Sequence, residues 1–152
     1  MSTNPNPATL PETTLVVRRT FPVTAERLFR AWSDPADLMR WFGPPGLDTP
    51  VAEMDFRVGG RYRIGMRRQS DGEMIFVSGT YREITPNARI AFTWSFETHA
   101  VGVKDTLVTI DFIEAAGETE LVLKHERLPA SKERDSHQAG WTGILGKLAA
   151  AL

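Results

Sequence analysis

The segment from Ser131 to Leu152 constrains the fold more than any other part of the chain. Trp141, Leu145, Leu148 and Leu152 recur at steps of four, three and four, the spacing that gathers side chains on one face of an α-helix. Ile144 and Ala149 widen the stripe, and His137 lies on the same face, nearer the open end. Ser131 suits the N-cap, and Glu133 and Asp135 put negative charge in the first turn, where the helix dipole favours it. Pro129 stops the preceding segment from running into this helix. A long helix with one apolar stripe needs an apolar surface to lie on, and the upstream chain has to supply it.

Thr13 to Phe21 is rich in β-formers and predicts a first strand, broken by Pro22. Thr24 caps a helix carrying Leu28, Phe29 and Trp32, with Val23 placed to staple against Leu28. Asp34 and Pro35 start a second short helix carrying Leu38, Trp41 and Phe42, which ends at Gly43-Pro44-Pro45-Gly46. Strands are then predicted over Val51 to Phe56, Arg61 to Arg68, Met74 to Ile84, Ile90 to Phe96, Leu107 to Ile113 and Thr119 to Glu126. The turns between them leave no room for crossover helices, so the strands form an antiparallel meander. Tyr62, Ile64 and Met66 share one face of their strand, and Arg61, Arg63 and Arg67 the other. Phe76 and Tyr81 have opposite parity, and a bulge at Ser78-Gly79 would bring them to one face. The order is β-α-α-β-β-β-β-β-β-α, an α+β fold in which the last helix covers the apolar side of the sheet.

A chain of 152 residues fits one domain, expected over 12–152, after a disordered leader over 1–11 that is rich in Asn, Pro and Thr. That leader lacks the basic start and apolar core of a signal peptide, and no run approaches the ~20 apolar residues of a membrane span. A net charge of −1 provides no field to attract nucleic acid or an anionic membrane. Cysteine is absent, which excludes disulfides and thiolate chemistry. The expectation is a cytoplasmic protein that binds neither nucleic acid nor membrane.

Several phrases occur in a telling order: Phe29-Arg30-Ala31-Trp32 with Asp34-Pro35, Leu38 to Pro44, Phe56 to Tyr62, Gly79 to Trp94, His125 to Pro129, and Gly140-Trp141-Thr142. Together they resemble the START-like (SRPBCC) superfamily of birch-pollen allergens and polyketide cyclases. The resemblance is closest to the family named after the C-terminal domain of the activator of heat-shock protein 90 ATPase, and it runs from residue 14 to 152. It implies a helix-grip fold: a curved antiparallel sheet wrapped around a long C-terminal helix, with a cavity between them. In the eukaryotic activator a larger N-terminal domain makes much of the chaperone contact. No such domain is read in this sequence, and the expectation is therefore against chaperone binding.

The ligand-binding residues expected in that cavity are Trp41, Phe56, Tyr62, Met66, Phe76, Tyr81, Phe92, Trp94, His125 and Trp141. Aromatic walls with a few polar groups are the usual lining of a small-molecule site, and plain core packing is the competing reading. His125 or Tyr81 would supply an orienting hydrogen bond to a small, mostly apolar molecule. An inward histidine is more often structural, and this holds for His125 and His137 alike. No metal site is expected, because the two would need a third ligand; no cofactor is expected either. Glu126 and Asp111 face outward, Glu53 is the remaining candidate acid, and no catalytic triad can be built from spacing. Carriage of a ligand is therefore favoured over a cyclase or hydrolase, and both over a partner-binding module. Arg57, Arg61, Arg63, Arg67 and Arg68 read as a solvated sheet face paired with acids such as Glu73 and Glu83. Gly140, Gly143 and Gly146 each cost the helix ~1 kcal/mol, which points either to a close neighbour, such as the second subunit of a homodimer, or to tolerated loss.

Overall fold

The computed structural model of the chain describes residues 11–97 and 102–152; the expected leader lies outside them except for Pro11, as does His99. Seven strands form one antiparallel sheet, curled into a half-barrel, in the order β1-β7-β6-β5-β4-β3-β2. The strands are β1 (Leu15–Phe21), β2 (Leu47–Met54), β3 (Arg61–Arg68), β4 (Met74–Thr85), β5 (Arg89–Phe96), β6 (Thr106–Ala115) and β7 (Glu118–Glu126). Two short helices, α1 (Ala25–Ser33) and α2 (Pro35–Leu38), carry the chain from one sheet edge to the other, and α3 (Ser131–Ala151) closes the fold. This is the expected helix-grip α+β architecture.

Local signals account for most boundaries. The Thr24 hydroxyl accepts from the Arg27 N–H, and the Asp34 carboxylate accepts from the Ala36 N–H. The second helix is shorter than expected: it stops at Leu38, so Trp41 and Phe42 leave it to enter the core. Trp41 stacks edge-on against Trp32 at 4.7 Å and donates its indole N–H to the Ala31 carbonyl, which fixes the turn. The second strand begins earlier than expected, at Leu47, and passes through Pro50. It tolerates proline because it is an edge strand, and its register breaks between Asp48 and Val51.

Two expectations need correction. Ser131 is the first helical residue and Ala130 the N-cap, with no side-chain hydrogen bond. Leu128 is buried and donates its N–H to the Thr13 carbonyl, so the chain turns one residue too early for Ser131 to cap. The irregularity of β4 falls between Tyr81 and Glu83, not at Ser78-Gly79. Val77 and Tyr81 therefore face the core, while Phe76 lies on the outer face over Gly65, with the Arg63 guanidinium 3.8 Å above its ring.

The concave side holds Tyr62, Ile64 and Met66 of β3, Ile90, Phe92 and Trp94 of β5, Val108, Ile110 and Phe112 of β6, and Leu121, Leu123 and His125 of β7. Trp141, Ile144, Leu145 and Leu148 of α3 are buried against that surface, as the stripe predicts. The Arg40 guanidinium donates to the Ala151 carbonyl and the Lys147 ammonium to the Leu47 carbonyl, tying the C-terminal half of α3 to its neighbours. Four of the five expected arginines are solvated and paired: Arg57 with Asp55 in the β2–β3 turn, Arg63 with Glu97, Arg67 with Asp48, and Arg68 with Asp71 and Glu73.

Candidate functional site

Two openings lie along the concave surface of the described residues. Tyr62, Tyr81, Phe92 and Trp94 from the sheet meet Trp32, Leu38 and Phe42 from the α1–α2 region. The aromatic rings interlock, as in the contacts of Tyr62 with Tyr81 and with Phe92 at 5.5 Å each, and only about 20 Å³ remains between them. That is room for about one water molecule. The Tyr62 hydroxyl donates to the Thr93 carbonyl at 2.5 Å, and burial pushes its pKa well above the ordinary phenol value. Burial also raises Tyr81, so both phenols stay neutral.

The larger opening, about 140 Å³, lies beneath the N-terminal half of α3. Its walls are Pro44, Met66, Trp94, Phe96, Ser136, His137, Gly140, Trp141 and Ile144. Two glycines of α3 explain why it opens there. A Cβ on Gly143 would come within 2.5 Å of the Pro45 ring, so the helix is clamped to the Pro-rich loop at that point. A Cβ on Gly140 would meet nothing within 4 Å, so one turn earlier the helix stands clear. The close neighbour implied by the glycine spacing is thus found at Gly143 within the chain itself.

A chain of hydrogen bonds ties together Trp94 and Trp141, two walls of this cleft. Carbonyls can only accept, so the Thr106 hydroxyl donates to the Trp94 carbonyl at 2.7 Å. The His125 Nε2–H can then donate to Thr106 Oγ1 at 2.8 Å, and the Trp141 indole N–H donates to the bare His125 Nδ1 at 3.1 Å. Helix α3 is thereby bonded through β7 and β6 to β5. Both nitrogens of His125 are engaged and the residue is fully buried, which leaves neither for a ligand. Desolvation, reinforced by His137, lowers its pKa to about 3.

That depression predicts acid sensitivity. The unfolded state takes up a proton near the ordinary histidine value, whereas folded His125 does not until about pH 3, so stability is full above pH ~6.5 and is lost as pH falls. Between pH 7 and about 4.5 the loss from this residue should be roughly 2–3 kcal/mol. His137, lowered by its own burial, acts in the same direction. Urea unfolding across that range checks it; a flat profile would mean that His125 is protonated in the folded protein.

Of the ten expected site residues, Tyr62, Tyr81, Phe92 and Trp94 line the inner space, and Met66, Trp94 and Trp141 line the cleft. Trp41, Phe56, Phe76 and His125 line neither. Phe56 is half-buried against Tyr81 and Phe29, and Phe76 is on the convex face. The cleft also draws on residues outside the expected set, chiefly Pro44, Phe96, His137 and Gly140. The signal for two of them was present: His137 precedes Trp141 by four, and Gly140 adjoins it. The candidate acids stay on the surface, with Asp111 paired to Arg89 at 2.6 Å and Glu126 to Lys124 at 3.5 Å. Among the described residues no three His, Asp or Glu side chains gather as a metal site, and no helix is long and apolar enough to cross a membrane.

Two buried polar atoms of cleft-lining residues, Trp94 Nε1 and His137 Nε2, have no partner among the described residues and are closed off from the cleft as from solvent. His137 Nδ1 is 2.9 Å from the Glu133 carbonyl and so must be the protonated nitrogen, which leaves Nε2 as a bare acceptor. Trp94 Nε1–H is a donor, and the two rings meet edge to face with centroids 6.4 Å apart.

Residues 22–152 match the family described as activator of Hsp90 ATPase homolog 1-like protein. The activator of 90 kDa heat shock protein ATPase homolog 1 of Mus musculus is 28% identical over 132 residues, and that of Homo sapiens 26% over 132 residues. In each case the alignment covers 87% of this chain and 34% of the relative, so the chain spans about a third of the length of these curated relatives. Among solved structures, a Chromobacterium violaceum protein is 30% identical with a TM-score of 0.84, the match covering 91% of this chain and 95% of the other. A protein of the same family from Silicibacter pomeroyi is 31% identical with a TM-score of 0.78, covering 90% and 95%.

Proposed function

The chain belongs to the activator of Hsp90 ATPase homolog 1-like family, and from that membership and the cleft beneath α3 we propose that it binds a small, mostly apolar molecule there. The observation that carries the reading is a cleft of about 140 Å³ whose walls are largely apolar. An apolar cavity of about 150 Å³ in a protein takes up benzene, so a single-ring ligand is the right size. The site is not the whole sheet–helix interior, which is filled to about 20 Å³ by its own aromatics. Binding without turnover is the expected activity, because His125 is committed to Trp141 and Thr106 and the carboxylates stay outside.

The test is a melting-temperature screen of single-ring compounds against the parent and Gly140→Leu. A ligand at ten times its Kd should raise the melting temperature by about 3–6 °C. Gly140→Leu replaces a poor helix former and extends a side chain from the cleft wall, so it should fold at least as well and bind poorly. If no compound stabilises the parent, or the Leu variant binds as well, the cleft is not a ligand site.

The names of the curated relatives favour a second reading, engagement of a heat-shock chaperone. The similarity reaches only 34% of those proteins, and stimulation of the chaperone's ATPase is not expected of this segment alone. A titration into purified chaperone that raised turnover several-fold would put this reading first.

A further inference from the structure

We infer that residues 131–140 of α3 are an acid-released lid over the cleft, with Gly140 as the hinge and His137 as the catch. All four buried side chains of the helix, Trp141, Ile144, Leu145 and Leu148, belong to its second half, and none of residues 131–140 is fully buried. The segment spans two anchored points. Before it, buried Leu128 is bonded to the Thr13 carbonyl, and Ala130 begins the helix with no side-chain cap. After it, Trp141 is bonded to His125, and Gly143 is clamped by Pro45. Gly140 lies just inside that second point, where nothing crowds it and its backbone bends more freely than any other residue's. Ser136, His137 and Gly140 supply one wall of the cleft, so lifting the segment removes that wall.

His137 is the ring that joins the segment to the sheet. It packs edge to face against Phe96 at 5.6 Å, Trp94 at 6.4 Å and His125 at 5.1 Å. Its Nδ1–H donates to the Glu133 carbonyl, and its bare Nε2 is shut away from water and cleft alike. Protonation puts a second N–H and a positive charge where the described residues offer no acceptor. From β5, Trp94 and Phe96 bring no charge, and from β7, His125 is kept neutral by its own burial. The Lys104 ammonium, bonded to the Phe96 carbonyl, is exposed, and on α3 Arg134 is paired with Asp135. Glu133 favours the imidazolium, but burial outweighs it and holds His137 below the ordinary histidine value. Released into water, the imidazole regains a pKa of ~6.5, so the closed lid is favoured above that pH and loses ground as pH falls. Off the sheet, so short a segment does not hold a helix in water, and opening therefore exposes its amides.

Native-state hydrogen exchange reads that opening residue by residue. At pH 7 the amides of residues 135–140 should be protected at least about 30-fold less than those of 145–148, which open only with the whole fold. Between pH 7 and 5.5, protection at 135–140 should fall by up to about eightfold once intrinsic rates are removed. His137→Phe and His137→Gln cannot take up the proton, so in both the protection at 135–140 should stay level across that range. Gly140→Ala has room for its methyl group and should raise protection there by about fivefold. Exchange of 135–140 in step with 145–148 would mean that α3 opens as one unit, and the lid would be wrong. A fall of the same size in the two His137 variants, or none in the parent, would overturn His137 as the catch. Unchanged protection in Gly140→Ala would overturn the hinge.

Discussion

Trp141→Ala should lower the unfolding free energy by about 3–5 kcal/mol, and the structure places it at the top of that range. Trp141 is 1% exposed, packs against Trp94 at 5.1 Å and Phe42 at 6.1 Å, and is the donor that satisfies His125 Nδ1. Removing it leaves a large cavity and also strands a buried ring nitrogen, a further cost of about 1–3 kcal/mol. A loss that size can exhaust the stability of a domain this small, so the graded companion is Trp141→Phe, which keeps most of the packing but removes the N–H. It should cost roughly 1–3 kcal/mol. Chemical denaturation measures both; an alanine variant that loses less than ~1 kcal/mol would mean that α3 does not rest on the sheet through this residue.

Gly79→Ala should be nearly as damaging, although it adds only a methyl group. A Cβ at Gly79 would lie 2.7 Å from the Thr93 carbonyl carbon and 2.8 Å from Thr93 Oγ1, and closer still to the carbonyl oxygen. The obstacle is backbone on the neighbouring strand, and the same carbonyl accepts from Tyr62 while Thr93 Oγ1 accepts from the Thr80 N–H. None of these can move without parting β4 from β5. Overpacking ordinarily costs 1–3 kcal/mol, and a contact with backbone should reach or exceed about 3 kcal/mol. If the alanine variant melts within a degree or two of the parent, the close approach of the strands at Gly79 is wrong. The same contact rules out a bulky residue at Gly79 as a plug for the cavity, and Gly140 is the position where one can be placed.

Much of the fold was legible along the chain. The four-three-four spacing of Trp141, Leu145, Leu148 and Leu152 defined α3 and its buried face, except that Leu152 itself ends the helix half-exposed. Strict alternation in Arg61–Arg68 separated the core face from the arginine face, and Thr24 and Asp34 marked their helices as caps. These readings succeed because helix and strand periodicity depend on residues a few positions apart, where the chain itself fixes the geometry.

The candidate site was only partly legible, for a physical reason. The inward parity of His125 is a local property, but its two hydrogen bonds come from Thr106 and Trp141, on other elements, and they turn an apparent ligand group into a structural one. Phe76 left the expected site because the break in β4 lies between Tyr81 and Glu83, a matter of register with β5. Gly140 and Gly143 look alike in the sequence, and only the approach of Pro45 to one of them makes the first a cleft and the second a clamp. Composition and spacing determined which elements form and which faces are apolar. Which space between those faces stays open was decided by contacts between distant residues, because a void depends on how side chains from α3, the Pro44-Pro45 loop and β5 fill a shared volume.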